Sequence, residues 1–303
     1  MTDPFAVPPP EAQRPPPSAD MLVISSQVVR GSVGGRAGFV LERLGHRVWQ
    51  VPTVLLPWHP GHGRGTRIVA SDADFAALCA DLAGSPRLRE IGGIVSGYLG
   101  NAAQAGPIAA LVAAVKAANP AALYLCDPVI GDAGGLYVPE ATAAAIRDRL
   151  LPLADIATPN MTELAWLTAA PVAGPGEAVA AARTLGPARV AVTSAPAMMR
   201  GKIATLLVSA TDAVAAENQL VAGAPSGTGD LFAALLLQRL VIGMPDEKAL
   251  AHAVAATFEV LVRSARAGAD ELALTIEQSA LVRPMAMVDI RRVAAPRRPA
   301  PQP

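Results

Sequence analysis

Short apolar runs alternate with longer Ala-rich amphipathic segments along most of the chain. The short runs are typical of strands buried on both faces, and the longer segments are typical of covering helices. The predicted strands are residues 21–25, 47–51, 91–96, 122–126, 153–158 and 189–194, and the predicted helices lie near 36–44, 72–83, 103–118, 139–150 and 176–185. This alternation predicts a three-layer α/β fold with a central, mostly parallel sheet flanked by helices.

The last third of the chain follows a different pattern. Residues 202–222 predict a hairpin with a turn near Thr211 and Asp212, and two long helices follow at 228–242 and 246–265. Both ends of the chain are rich in Pro, which favours extended and solvated chain. We therefore expect one domain over residues 20–290, a disordered Pro-rich tail over 1–19 and a disordered Arg/Pro-rich tail over 291–303.

Charge and composition exclude several classes of protein. Lys plus Arg and Asp plus Glu both number 25, so the basic excess of a nucleic-acid-binding protein is absent. The uncharged stretch 91–115 contains Asn101, Gln104 and Pro107, so it predicts a strand, a turn and a helix rather than a membrane span. Two cysteines and no secretory leader pattern favour a reducing, cytoplasmic location.

Polar residues follow two of the predicted strands at the edge where parallel sheets bind ligands. Asp127 and Asp132 come after the fourth strand, where carboxylate oxygens suit Mg²⁺, although Asp127 could equally begin a turn before Pro128. After the fifth strand, Asn160 and Glu163 match a capping box, and Glu163 could also act at the same metal ion. Both interpretations stay open at each position.

Glycine-rich segments give two contrasting signals. The glycines after the first strand do not form GxGxxG, which disfavours a nicotinamide-dependent oxidoreductase. In contrast, Gly227, Thr228, Gly229 and Asp230 precede a helix that is apolar almost all round. Free N–H groups at the start of such a helix favour a bound phosphoryl group, so we prefer this interpretation to Asp230 as a simple helix N-cap.

At this GTGD segment the chain resembles the ribokinase-like superfamily, whose members phosphorylate small-molecule hydroxyl groups, and most closely the pyridoxal kinases. The resemblance extends over almost all of residues 20–265. It is carried by SQVVRGSVG (26–34), RLGHRVW (43–49), the loop around His59, SGYLG (96–100), CDPVIGD (126–132), LYVPE (136–140), TPNMTE (158–163), VTS (192–194) and GTGDLFAALLL (227–237).

The resemblance implies an ATP-dependent kinase for the 5'-hydroxymethyl group of pyridoxal, with Asp230 as the catalytic base. It implies Mg²⁺ and a monovalent cation, K⁺ or Na⁺, as cofactors. The implied substrate-binding residues are Ser26, Val33, His59, Tyr98 and Asp230. The implied ATP-binding residues are Asp132, Tyr137, Thr158, Glu163, Ser194, Gly227, Thr228 and Gly229, and the implied metal-binding residues are Asp127, Thr158 and Thr193.

One departure from the family's pattern affects the substrate loop. The family's loop typically has Asn-His-Thr, whereas this chain has Trp58, His59 and Pro60, so a hydroxyl and an N–H that would touch the substrate are missing. Two alternatives therefore remain: a sister kinase for hydroxymethylpyrimidine or another small alcohol, and a pyridoxal-binding protein without activity.

Assembly and partners complete the sequence-based expectations. The family is typically homodimeric, and the 202–222 hairpin offers an edge that would need covering. We therefore expect a homodimer that binds a small-molecule vitamer and ATP, and neither nucleic acid nor a membrane.

Overall fold

The computed structural model describes residues 19–223 and 225–293, and among these a nine-stranded sheet forms the centre. The strands are β1 (Asp20–Arg30), β2 (Val48–Trp58), β3 (Ile91–Ser96), β4 (Leu123–Cys126), β5 (Gly131–Asp132), β6 (Gly135–Leu136), β7 (Ile156–Ala157), β8 (Arg189–Pro196), β9 (Lys202–Val208), β10 (Ala213–Gln219) and β11 (Asp289–Arg292). The strand order in the sheet is β11-β10-β9-β8-β7-β4-β3-β1-β2, and β5 pairs with β6 in a separate ribbon.

Helices cover both faces of the sheet. They are α1 (Arg36–Arg43), α2 (Asp72–Ala83), α3 (Ala105–Ala118), α4 (Glu140–Ala145), α5 (Met161–Thr168), α6 (Pro175–Ala182), α7 (Thr228–Val241), α8 (Asp246–Arg266) and α9 (Gln278–Val282). Along β1, Met21 and Val23 pack with α1, α7, α8 and α9, whereas Leu22 and Ile24 pack with α2, α3 and α4 on the opposite face. This alternation explains the continuous apolar runs of the sequence, because each strand is buried on two sides.

Strand directions confirm the predicted fold class. The pairs β1–β2, β1–β3, β3–β4, β4–β7 and β7–β8 are parallel, and the pairs that join β8 to β9, β10 and β11 are antiparallel. The predicted hairpin is β9 and β10, and its turn is closed by the Ser209 N–H, which donates to the Asp212 carbonyl. The stretch 91–115 forms β3 and most of α3, and no helix in the described part of the chain is long and apolar enough to cross a membrane.

Three details differ from the sequence prediction. Strand β11 runs across the domain boundary that was placed at residue 290, so the domain continues to at least Arg292. The same strand pairs with β10, so the edge of the 202–222 hairpin is covered within the chain and supplies no reason for a dimer. Strand β1 continues past the predicted end at residue 25 through an irregularity in its pairing between Ser25 and Gln27. The predicted tails lie outside the described residues, apart from residue 19 and residues 291–293.

Candidate active site

A cleft of about 850 Å³ lies at the carboxyl ends of the parallel strands. It is lined by all fifteen of the residues predicted for the site: Ser26, Val33, His59, Tyr98, Asp127, Asp132, Tyr137, Thr158, Glu163, Thr193, Ser194, Gly227, Thr228, Gly229 and Asp230. These residues come from seven separate segments of the sequence. The topology brings them together because parallel strands end at one edge of the sheet.

The N-terminus of α7 opens into this cleft. Gly227 is the N-cap, has a φ of +102° and makes no side-chain cap, and Asp230 stands three residues further on, inside the first turn. The N-cap interpretation of Asp230 is therefore wrong. A Cβ at Gly227 would lie 2.9 Å from the Ser32 carbonyl oxygen, so both its conformation and its packing require glycine. The first N–H groups of a helix have no partner within it, so they can bind an anion.

Asp230 is poised to accept a proton near neutral pH. Burial raises the pKa of its carboxyl from 3.8 to about 6, while hydrogen bonds from backbone groups of Gly34 and of Asp230 itself oppose this rise. A general base is most effective when its pKa lies near the working pH, because it is then ionised but still basic. The carboxylate therefore has the protonation properties of a base.

Asp127 adds a second carboxylate to the same region. It is 7% exposed, and the Thr158 hydroxyl donates to its Oδ1 over 2.7 Å. Burial raises the pKa of Asp127 well above its usual value, and the negative charges of Asp230 and Glu163 raise it further. Because the ionised form of Asp127 is disfavoured by burial and by these two charges, a cation bound beside it would be stabilised.

Glu163 forms the capping box that the sequence predicts and also lines the cleft. Its Oε2 accepts the N–H of Asn160 over 2.9 Å while the Asn160 side chain caps α5, so the capping box is present. Its Oε1 also accepts the N–H groups of Ile130 over 3.0 Å and Gly131 over 3.4 Å. Burial raises the pKa of Glu163 to about 7, against the effect of these backbone donors. The side chain thus fixes the loop that follows Asp127, and it faces the cleft from there.

The β5–β6 ribbon lies next to this loop, and its residue Asp132 lines the cleft. Asp132 accepts the N–H of Gly134 over 2.7 Å, and a hydrogen bond from the Tyr137 hydroxyl lowers the pKa of Asp132 further. The Asn160 side chain donates to the Gly131 carbonyl over 2.8 Å and ties the ribbon to α5. Tyr137 remains 53% exposed, so the ribbon presents an aromatic side chain and a carboxylate above the opening.

Strand β8 contributes Thr193 and Ser194 from an irregular segment. The pairing of β8 with β9 shifts between Val192 and Ala195, and Ser194 has a φ of +56°, which is uncommon for a residue other than glycine. The Thr193 N–H donates to the Pro159 carbonyl over 2.9 Å. Strained backbone of this kind clusters at functional sites, so its position in the cleft supports a binding role.

The opposite end of the cleft is formed by the segment after β1 and by the loop around His59. Gly34 has a φ of +58°, and a Cβ there would lie 2.3 Å from the Ser26 carbonyl oxygen, so the turn cannot accept a side chain. This close turn places Val33 and the buried Ser26 against the cleft. On the far side, the Thr53 hydroxyl donates to the Tyr98 carbonyl over 2.6 Å and fixes the backbone of Tyr98.

Pro60 changes the hydrogen bonding of His59. The next available N–H, that of Gly61, donates to the His59 Nδ1 over 3.1 Å. Burial lowers the pKa of His59, so the neutral ring is favoured, and with Nδ1 accepting it carries its proton on Nε2. The remaining polar group of His59 is therefore its Nε2–H, which is a hydrogen-bond donor.

A further part of the cleft is lined by residues of α8, β9 and β10 that the sequence analysis did not predict. Val254, Thr257, Phe258 and Leu261 come from α8, where their spacing is that of any helix face packed on a core. The Thr257 Oγ1 is buried and has no hydrogen-bond partner in the described structure. Ile203, Thr205 and Asn218 from β9 and β10 face the same space. The result is a mainly apolar pocket with a few polar groups, which suits a planar heterocycle.

Comparisons with known proteins agree on one group of kinases. The model of the phosphomethylpyrimidine kinase family matches residues 94–274. Pyridoxal kinase PdxY of Rubrobacter xylanophilus is 36% identical over 283 residues, which are 91% of this chain and 98% of that protein. The pyridoxine/pyridoxal/pyridoxamine kinase of Bordetella bronchiseptica is 41% identical over 280 residues, which are 89% of this chain and 98% of that protein.

Solved structures give the same result for the fold. Pyridoxal kinase from Leishmania donovani in complex with ADP and pyridoxamine superposes with a TM-score of 0.84 at 28% identity, over 91% of this chain and all of that one. Pyridoxal kinase from Entamoeba histolytica superposes with a TM-score of 0.83 at 25% identity. Both matches cover 91% of this chain and all of the other chain, so the fold is shared over most of its length.

Proposed function

The chain belongs to the pyridoxal kinase family of the ribokinase-like superfamily, and we propose that it transfers the γ-phosphoryl group of ATP to the 5'-hydroxymethyl group of a vitamin B6 vitamer. The observation that carries this proposal is the N-terminus of α7. There one carboxylate with a pKa near 6 and the amides of the first turn face the same cleft.

In the proposed reaction, Asp230 accepts a proton and the amides at the start of α7 stabilise charge. The vitamer hydroxyl oxygen forms a bond to the γ-phosphorus, the bond from that phosphorus to the β,γ-bridging oxygen breaks, and ADP leaves. Asp230 takes the proton that the hydroxyl loses. The amides of Thr228 and Gly229, with Gly227 at the N-cap, stabilise the charge on the transferring phosphoryl group, which is the main catalytic requirement of such a transfer.

The two ligands occupy different parts of the cleft. The vitamer lies between Ser26, Val33, Tyr98 and the His59 loop, where His59 supplies a donor and the rest supply mainly apolar contact. The nucleobase lies in the pocket of α8, β9 and β10, and the phosphates run along Asp132, Ser194 and Glu163 toward α7. In this arrangement Asp230 stands at the junction between the hydroxyl and the γ-phosphoryl group.

The residues present fit a magnesium ion that the nucleotide brings with it. No cluster of three or more His, Cys, Asp or Glu in the described structure could bind a metal ion by itself. Mg²⁺ in phosphoryl-transfer sites commonly has one or two carboxylates, phosphate oxygens and waters as ligands, and Asp127 supplies such a carboxylate, to which the Thr158 hydroxyl donates. The ion would neutralise phosphate charge, and Asp127 would hold it.

A monovalent cation is a further part of the proposal. Thr158 and Thr193 lie on neighbouring strand ends, and Asn160 and Thr193 form an isolated parallel bridge that brings the two ends together. Hydroxyl and carbonyl oxygens are suitable ligands for K⁺ or Na⁺. A requirement for K⁺ in the assay below would support this assignment.

A coupled assay tests the proposal. The protein is offered Mg-ATP with pyridoxal, pyridoxine, pyridoxamine or hydroxymethylpyrimidine, and ADP is measured together with the phosphorylated product. We expect turnover of at least one B6 vitamer. Turnover of hydroxymethylpyrimidine alone would instead favour the sister kinase. This kinase is the second candidate because the phosphomethylpyrimidine kinase family model matches the chain. Vitamer binding without any turnover would favour the pyridoxal-binding protein.

Assembly and location remain predictions. A homodimer rests on family resemblance, since β11 covers the hairpin edge that first suggested it. In the described residues the outermost strands are β2 and β11, and a partner would contact one of these edges or a helical face. Light scattering at micromolar concentration separates a 30.9 kDa monomer from a dimer of twice that mass. Both cysteines, Cys79 and Cys126, are free and buried, as a cytoplasmic location predicts.

A further inference from the structure

Glu271, in the segment between α8 and α9, joins parts of the molecule that are far apart in sequence. Its Oε2 accepts the backbone N–H of Ser32 over 2.9 Å and the Ser32 hydroxyl over 2.7 Å. Its Oε1 lies 2.9 Å from the His62 Nε2. The Glu271 side chain is only 13% exposed, whereas the side chain of His62 is 32% exposed. The lining of the cleft does not include Glu271, so it acts on the site only through these neighbours.

Ser32 extends the same connection to the start of α7. Its Oγ accepts the N–H of Leu272 over 3.0 Å and lies 3.2 Å from the Ser226 carbonyl. Its carbonyl oxygen is the atom that a Cβ on Gly227 would meet at 2.9 Å. The segment after β1 therefore packs directly against the turn that begins α7, and Glu271 fixes that segment.

His62 extends the connection in the other direction. It belongs to a single turn, residues 60–62, in which the His62 N–H donates to the His59 carbonyl over 2.9 Å. His59, Pro60 and Gly61 line the cleft, whereas no other side chain of the described structure is a hydrogen-bond partner of the His62 ring. The contact with Glu271 is thus the side-chain anchor of this turn.

We propose that Glu271 is a positioning residue that holds the His59 loop and the Ser32–Val33 segment around the bound vitamer. This rests on the proposed function, in which both segments contact the substrate. A carboxylate suits the position because its two oxygens accept the Ser32 N–H and O–H and contact the His62 ring nitrogen. A glutamine has one oxygen acceptor and no charge, and its NH₂ group must face either Ser32 or His62, so it weakens at least one of these contacts.

Kinetics of three variants test this inference. Glu271→Gln should raise the KM for the vitamer about 10-fold, or about 1.4 kcal/mol, with a smaller change in kcat and in the KM for ATP. His62→Ala should raise the vitamer KM by less, because it removes only one of the three contacts. The double variant should raise the vitamer KM by less than the product of the two single effects, because both substitutions change the same His62–Glu271 contact. Asp270→Asn is the matched control, since Asp270 is the adjacent residue and its side chain forms an ion pair with the exposed Arg30 rather than a hydrogen bond to Ser32 or His62 in the described structure.

Hydrogen exchange gives a second readout that needs no substrate. Peptides covering residues 31–34 and 59–63 should exchange faster in Glu271→Gln than in wild type or Asp270→Asn, and 59–63 should do so in His62→Ala. If no vitamer is turned over, the proposed function fails, yet this exchange pattern still supports the connection. Unchanged exchange in both segments, or a vitamer KM that Asp270→Asn raises as much as Glu271→Gln, would overturn the inference. Should Glu271→Gln fail to fold, His62→Ala carries the same comparison, since His62 is partly exposed.

Discussion

The two ends of the cleft are built in different ways. One end, which we call the phosphoryl end, is where the transferred group is proposed to bind. There Asp230 lies in the first turn of a buried helix, and Asp127 and Thr158 follow strands at the centre of the sheet. At the vitamer end, His59 and Pro60 lie on a loop beyond the edge strand β2, where Trp58 is 40% exposed. The groups proposed for chemistry thus stand on or directly after buried elements, and at the other end His59 and Pro60 stand on an edge loop beside Ser26 of β1.

This difference predicts which kinetic constant each end controls. Substitutions at the phosphoryl end remove interactions that develop in the transition state, so they should lower kcat. Substitutions at the vitamer end change contacts that exist before and during reaction, so they should change mainly KM. The following variants test whether the two ends of the cleft control different kinetic constants.

Asp230→Asn should cause the largest loss. Asparagine has nearly the same shape but cannot accept the proton, and a general base contributes roughly 10²- to 10⁴-fold to the rate. We expect kcat to fall by this factor while calorimetry shows unchanged ATP binding. A variant that loses ATP binding and turnover together would indicate a structural role for Asp230 instead.

Asp127→Asn should weaken the response to magnesium. The substitution keeps the bond from the Thr158 hydroxyl but removes the negative charge at a buried position. A titration of activity with Mg²⁺ should show an apparent affinity about 10- to 100-fold lower, the range typical for loss of a metal-site partner. Asp148→Asn, at an exposed carboxylate paired with Arg147, is the control and should leave the Mg²⁺ titration unchanged.

Asp230→Asn should also make the protein more stable at neutral pH. The carboxyl is ionised at pH 7 in the folded and unfolded chain, but burial disfavours the ionised form in the folded one. A pKa of about 6 against 3.8 corresponds to at most about 3 kcal/mol, reduced by solvent that enters the cleft. The Tm gain should shrink as pH falls from 6 to 3.8, because wild type then becomes protonated in both states. An equal gain at pH 3.5 would contradict this explanation.

Pro60→Thr should have the smallest effect and the opposite sign. Threonine restores an N–H and a hydroxyl at the vitamer end, and one neutral hydrogen bond contributes about 0.5–1.5 kcal/mol. The vitamer KM should therefore fall roughly 2- to 13-fold with kcat nearly unchanged. Activity that appears only in Pro60→Thr, with an inactive wild type, would contradict the division and favour the binding-protein hypothesis.

The phosphoryl end was predictable from the sequence because short segments at strand ends carry it. Gly227 to Asp230 are contiguous, and the Asp127 segment follows a clear apolar strand. The pocket that we propose for the nucleobase was not predictable, since Thr257 and Phe258 lie on a helix whose spacing is that of core residues. Glu271 was hidden for another reason: only the folded chain brings it to Ser32, 239 residues away.

The covered hairpin edge shows a similar limit for the fold. Strand β11 reads Asp-Ile-Arg-Arg, which has one apolar residue and no alternation long enough to predict a strand. The pairing of β11 with β10 brings the Arg291 Nε within 3.7 Å of the Glu217 Oε2. The Glu217 side chain is 2% exposed and that of Arg291 is 40% exposed. Tertiary contacts of this kind decide such short elements, whereas the parallel strands of the core were specified by their own apolar runs.

The pH dependence of kcat/KM in wild type and Asp230→Asn tests whether Asp230 is the catalytic base. Taking the ratio of the two profiles removes the titration of ATP and of the vitamer, which both proteins share, so that the titration of Asp230 and of the coupled Asp127 remains. We expect the ratio to be large and constant at neutral pH and to fall about tenfold per pH unit below about pH 6, because protonated Asp230 cannot accept the substrate's proton. A ratio that stays constant down to pH 4.5 would show that Asp230 is not the base.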